Sequence, residues 1–354
     1  MPDSIEGMLK VAYSKGCSDV HLGVEEEPRF RNRGEIIPTG WPVTDQSTFM
    51  AWLKDVVSSK DLDHFRTEKE FDGSFSFPFV RVRINLFETM RGPSMVMRLI
   101  PNRISTLQEL GMPEVFGTLA ARTKGMLLVT GPTGSGKTTT LAAIIDHINR
   151  TMRRHILTIE DPVEFIHQSR QSLIHQRELG TNTKRFDQAL RAAMREDPDV
   201  ILIGEIRDRD TLSTTIEAAQ TGHLVLGTLH TNSAVRTLER IVGMVPADEQ
   251  DAIRKSFAEA FLAVIAQGLI RTKDEERVSY HEILINNDAC KDYILRGKLD
   301  EIEEIMTRSS FEGMQTINQS LAQLVQQKRV NEEEAITHSL RPAELRQVLR
   351  GRVS

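Results

Sequence analysis

Residues 131–138 read Gly-Pro-Thr-Gly-Ser-Gly-Lys-Thr and fit the pattern G-x-x-x-x-G-K-[ST], whose residue types suit one task, the cradling of nucleotide phosphates. Gly131, Gly134 and Gly136 let the backbone turn and approach an anion with no Cβ in the way, and Pro132, Thr133 and Ser135 complete the loop between them. Amides of the loop and of the following helix N-terminus face the negative charge. Lys137 brings a mobile ammonium to the terminal phosphates, and the Thr138 hydroxyl can ligate magnesium. The expected ligands are ATP and Mg²⁺. An apolar run, Met126 to Thr130, precedes the loop, and a helical pattern from Thr139 to about Asn149 follows it.

Acidic and imidazole groups stand at the ends of three further apolar runs. After Ile156–Ile159 comes Glu160-Asp161-Pro162-Val163-Glu164, where Pro162 ends regular pairing. These acids belong in a loop at the carboxyl end of a strand, the edge where open α/β sheets bind ligands. Val200–Ile203 leads into Gly204-Glu205-Ile206-Arg207-Asp208, the Walker B place, with Gly204 where an aspartate is usual. Glu205 is a candidate to hold the water shell of the metal, and Glu164 to polarise the attacking water. The run Leu224–Leu229 is flanked by His223 and His230. They are separated by roughly 23 Å of strand and cannot both reach one phosphate. His230, at the carboxyl end, is placed to sense a γ-phosphate; His223 is read as structural.

Short, almost continuous apolar runs alternating with helical stretches mark a parallel sheet buried on both faces, hence an α/β class. Residues 1–100 mix helix and strand signals and read as a small α+β domain. Residues 101–113 lack sustained periodicity and form a linker, 114–286 the core, and 287–354 a polar, helical C-terminal region carrying Glu301, Glu303 and Glu304.

With 354 residues the chain is long enough for two cores. Hydrophobic residues make up 39% and charged residues 27%, an ordinary globular balance, and the formal net charge of −5 excludes an overall basic footprint, so no nucleic acid is expected. Two isolated cysteines, Cys17 and Cys290, cannot build a four-ligand zinc site and fit a reducing compartment. No signal pattern and no run of ~20 apolar residues is present, so the expected location is cytoplasmic, with membrane contact only through partners.

Four ordered blocks, GPTGSGKTTTLAAIID, TIEDPVEF, DPDVILIGEIRD and TGHLVLGTLHTNSA, together with SDVHL at 18–22 and RVRIN at 81–85, resemble the secretion ATPase superfamily, nearest to the PilT-like type IV pilus retraction ATPases. The resemblance implies a RecA-like P-loop ATPase core behind a smaller PAS-like N-terminal domain. It also implies a homohexameric ring, with ATP held between the two domains and neighbouring subunits. In that family Glu164 matches the catalytic acid of the Asp box, Glu205 the Walker B glutamate and His230 the His box. Arg81 and Arg83 match the arginine-rich strand that neutralises phosphate; Arg207 and Arg277 are further candidates. The implied activity is ATP hydrolysis powering pilin depolymerisation and twitching motility, from the inner-membrane base of the pilus machine on a membrane platform protein. Pilus-assembly relatives carry a four-cysteine zinc subdomain, which this chain lacks, favouring retraction. Residues 288–296 differ from the AIRNLIRE stretch of the retraction motors. A principal motor, a PilU-like accessory paralogue, a related secretion ATPase and a nucleotide-dependent scaffold all stay open.

Overall fold

The structure, a computed structural model, describes residues 4–351. Two compact units are present: one runs to Arg103 and includes Glu164–Ile166, and the other comprises Ile104–Val163 and the chain from His167 onward.

In the first unit, α1 (Ile5–Ser14) starts where the Ser4 side chain accepts the Gly7 amide and stops at Gly16, whose φ of 67° suits a residue without Cβ. The strands β1 (Asp19–Gly23), β2 (Arg29–Asn32) and β3 (Glu35–Pro38) precede the helices α2 (Gln46–Val56) and α3 (Ser59–Glu68), which lead into β4 (Glu70–Ser76), β5 (Val80–Thr89) and β6 (Gly92–Pro101). All neighbours in the sheet order β3-β2-β1-β6-β5-β4 are antiparallel. The two-residue period sets the faces: Val80, Val82, Ile84 and Leu86 enter the core with Met8, Leu53 and Met97, so Arg81 and Arg83 stand on the opposite face. Each large apolar side chain buried this way contributes about 1.5–3 kcal/mol.

The second unit opens with α4 (Val115–Ala120), β7 (Gly125–Thr130), α5 (Lys137–Thr151), β8 (His155–Glu160) and β9 (Leu173–Glu178). It continues with α6 (Phe186–Ala193), β10 (Val200–Ile203), α7 (Arg209–Gln220), β11 (Leu224–Leu229), α8 (Ala234–Val242) and α9 (Gln250–Ala260). The hairpin β12 (Phe261–Arg271) and β13 (Arg277–Ile285) follows, then α10 (Asp288–Arg296), α11 (Ile302–Arg308), α12 (Ile317–Gln326), α13 (Glu332–His338) and α14 (Pro342–Leu349). The seven strands lie in the order β13-β12-β7-β11-β10-β8-β9, all parallel except β13.

Successive residues of β7 feed opposite layers. Met126 and Leu128 pack with Leu212, Leu238 and Phe257 on one face; Leu127 and Val129 pack with Leu141, Ile144 and Ile148 of α5 on the other. The central strands are buried along their whole length, which is why their composition is continuously apolar. A third cluster, with Ile270, Val278, Leu321 and Leu345, seats α12 and α14 on the hairpin.

Candidate active site

The parallel arrangement brings three loops to one rim. Thr130 is opposite Leu229, and Gly227 opposite Ile203, so Gly131, His230 and Gly204 leave neighbouring strands at the same end of the sheet. At the first of these, Gly131, Gly134 and Gly136 have φ values of 148°, 80° and 85°. A Cβ on Gly131 would lie 2.3 Å from the Gln267 carbonyl oxygen, so the loop lies flat against β12 only because that residue is glycine.

Gly136 caps α5 without a side chain, and no side-chain cap satisfies the first-turn amides. The Ser135 Oγ is buried and has no hydrogen-bond partner among the described residues. Lys137 Nζ folds back onto the carbonyls of Gly131 (2.8 Å) and Pro132 (3.0 Å). Orphan amides, a glycine-lined concavity and an ammonium at its mouth form a donor set that suits a polyphosphate. Thr138, in the first turn of α5, carries the hydroxyl suited to a magnesium ion.

Gln267 holds this loop, and its part was not read from the sequence. Its side chain is buried: the amide donates to the Ser135 carbonyl at 2.7 Å, and its oxygen accepts from the Thr140 hydroxyl at 2.7 Å. One side chain thus ties the phosphate loop to the first turns of α5. The available signal was a lone amide inside the apolar run 261–270, followed by Gly268, where any Cβ would strike the Tyr280 ring at 2.2 Å.

On the neighbouring rim positions, Glu205 lies between an arginine and a histidine. Its carboxylate is 2.8 Å from the Arg207 guanidinium and 3.3 Å from His230 Nε2. Arg207 also lies 3.9 Å from Asp161, so it bridges the loops that follow β8 and β10. Gly204 has a packing reason to replace the usual aspartate. Its amide donates to the Ile159 carbonyl at 2.8 Å, and a Cβ there would come within 3.2 Å of the Glu160 backbone. A side chain there would be tight against the neighbouring strand end, and the acid stands one residue later.

Glu160 is buried, accepting from Thr158 (2.7 Å) and Gln176 (3.3 Å), and so serves the sheet interior. Glu164, half-buried, lies on the segment grouped with the first unit. Arg81 and Arg83 belong to that unit as well: Arg81 donates to Ser74 (2.6 Å) and Ser76 (3.1 Å), and Arg83 lies 3.8 Å from Asp72. Arg277 is exposed at the tip of the β12–β13 hairpin, opposite Arg271. His223 precedes β11 and hydrogen-bonds through Nδ1 with the Ala218 carbonyl of α7 at 2.9 Å, a turn-closing contact remote from the rim.

A mostly parallel sheet covered on both faces, with a glycine-built anion nest after its interior strand β7, defines a RecA-like P-loop nucleotide-binding protein. The profile of the family described as "Type II/IV secretion system protein" matches residues 1–353, and the chain belongs to that family. It is 41% identical over 94% of its length to the type IV pilus retraction ATPase PilT of Pseudomonas aeruginosa, covering 96% of that protein. A twitching motility protein of Neisseria gonorrhoeae is 46% identical, over 87% of this chain and 83% of the other. A crystal structure of the pilus retraction motor PilT with bound ADP superposes with a TM-score of 0.90 at 39% identity, covering 97% of this chain and 99% of that one.

Proposed function

We propose that the chain is an ATP-hydrolysing motor of type IV pilus retraction, working as a homohexamer at the inner-membrane base of the pilus machine and docking on its platform protein. The observation that carries this reading is the combination of an open phosphate nest with a Glu205–His230 pair on adjacent strand ends, within a chain that resembles a retraction ATPase from end to end. Among the described residues no helix is long and apolar enough to cross a membrane, which is compatible with a motor recruited by a partner.

Phosphoryl transfer to water demands positioning and charge neutralisation more than covalent chemistry. Lys137 exchanges its two loop carbonyls for phosphate oxygens, and the amides of the loop from Gly131 to Thr138, Pro132 excepted, serve the same anion. Magnesium, when bound, neutralises charge on the phosphate oxygens, with Thr138 as ligand and Glu205 holding its water shell. Glu164 orients the attacking water. His230, whose Nε2 lies 3.3 Å from the Glu205 carboxylate, reads the terminal phosphate, because hydrolysis changes the charge it faces. Arg81 and Arg83 remain candidates for phosphate neutralisation through their match to the family's arginine-rich strand.

Phosphate release by the purified chain tests the reading. Lys137→Ala is expected to lose nucleotide binding, whereas Glu164→Ala and Glu205→Ala retain binding and lose turnover by about 10²-fold or more. A wild-type ring that releases phosphate no faster than buffer would sink the enzyme reading and leave a scaffold. Cells lacking the protein are expected to be hyperpiliated and unable to twitch; bald cells would point to assembly instead.

A further inference from the structure

A buried carboxylate outside the rim connects the C-terminal helices to the loop that carries His230. Glu282, on β13, is 5% exposed, and its Oε1 accepts the Ala234 amide at 2.5 Å. Ala234 is the first residue of α8, the helix that begins four residues after His230. An acid at a helix N-terminus takes up an orphan amide and complements the helix dipole.

From α8 the contacts run on to both halves of the site. The Thr237 hydroxyl lies 2.6 Å from that of Thr231, the neighbour of His230, and 2.7 Å from the Ser233 carbonyl. It is also 3.4 Å from the hydroxyl of Thr130, the last residue before the phosphate loop. Behind Glu282, Glu303 of α11 forms an ion pair with Arg341 at the start of α14. Both act on the buried carboxyl. Burial pushes it up to about 7, Glu303 adds to the rise, and the Ala234 amide and Arg341 oppose it. Ile302 and Met306 of α11 share one core with Leu238 and Ile241 of α8.

We propose that Glu282 is a positioning residue: by accepting the first-turn Ala234 amide of α8, beside the Ser233 cap, it holds Thr231 and His230, and through Thr237 the entry to the phosphate loop, in the arrangement that hydrolysis needs, and it makes that arrangement answerable to the C-terminal helices. The inference rests on the hydrolytic reading above. A small displacement of aligned groups is enough to slow such a reaction severely while ground-state binding survives.

The test compares Glu282→Ala with Glu282→Gln in the full-length chain, since glutamine keeps an oxygen acceptor at the same reach. Phosphate release, affinity for a fluorescent ATP analogue, and amide hydrogen exchange of residues 231–237 are measured together. Expected for Glu282→Ala is a fall in kcat of about tenfold, ATP affinity within about threefold of the wild type, and faster exchange confined to the first turn of α8. Glu282→Gln is expected to restore most of the rate and the protection. A folded Glu282→Ala with wild-type kcat and exchange, or a Glu282→Gln as slow as Glu282→Ala, overturns the proposal. Should Glu282→Ala not fold, Thr237→Val breaks the same chain of contacts and must lower kcat at unchanged affinity; an undiminished kcat rejects the proposal. If the wild type itself releases no phosphate, the hydrolytic reading falls, and the exchange experiment alone decides whether Glu282 clamps α8.

Discussion

Gly131 and Gln267 lie in contact although 136 positions separate them in the chain, and together they fix the phosphate loop. Removing the Gln267 side chain by Gln267→Ala leaves the Ser135 carbonyl and the fully buried Thr140 hydroxyl without their partner. Buried polar groups stripped of partners cost about 1–3 kcal/mol each. The expected result is a melting temperature lower by roughly 2–10 °C and weaker nucleotide affinity, because the loop amides lose their fixed direction. Calorimetry and nucleotide titration read the two effects separately; a variant with wild-type melting and affinity would show that the amide contributes nothing. The loop itself was legible because its eight chemistry-bearing positions are contiguous. Gln267 was not, since no spacing rule links a strand residue to a loop so far upstream. Glu205 was legible by type, but the close approach of Gly204 to the Glu160 backbone exists only in three dimensions.

Among elements, the four central strands announced themselves through short apolar runs, whereas β9 and β13 did not, and the longer apolar run of β12 did not show where it starts. β12 begins at Phe261 directly after α9 ends at Ala260, with no glycine or proline to mark the change of period. β13 carries Tyr280, His281 and Glu282 in its middle, residues that read as surface until the helices covering them are known. Those covered polar groups have a consequence for acid stability. His281 is 3% exposed, packs edge-on against Phe116 at 5.2 Å, and burial pulls its imidazole down to about 4; burial does the same to His167, with Asp146 opposing. A folded-state value below the unfolded one means that the native chain binds fewer protons, so this stability is complete above about pH 6.5 and is lost as pH falls towards 4, by up to about 3 kcal/mol per histidine. Glu282, pushed up to about 7, has the opposite sign: its ionisation costs stability as pH rises through the same range. Two histidines outweigh one carboxyl, so melting temperature is expected to fall between pH 6.5 and 4.5. His281→Phe, which keeps a ring beside Phe116, is expected to flatten that slope. An unchanged slope would mean that His281 already finds a proton-tolerant setting in the native state.

At the scale of the whole molecule, the groups assigned to phosphate chemistry are divided between two units. Lys137, Glu205 and His230 belong to the second, and Arg81, Arg83 and Glu164 are grouped with the first. In the proposed ring, a subunit that cannot bind ATP has no conformational change to pass to the next. Doping wild-type chains with Lys137→Ala chains before assembly measures this. If the six subunits fire independently, half-doped rings retain about half the activity; if one dead subunit stalls the ring, only about 2% survives. For the proposed homohexamer the steep loss is the expected outcome, read as phosphate release against the mole fraction of the variant. A straight line through the doping series would instead place each hydrolytic cycle inside a single chain, and any force on a pilus would then have to come from independent strokes.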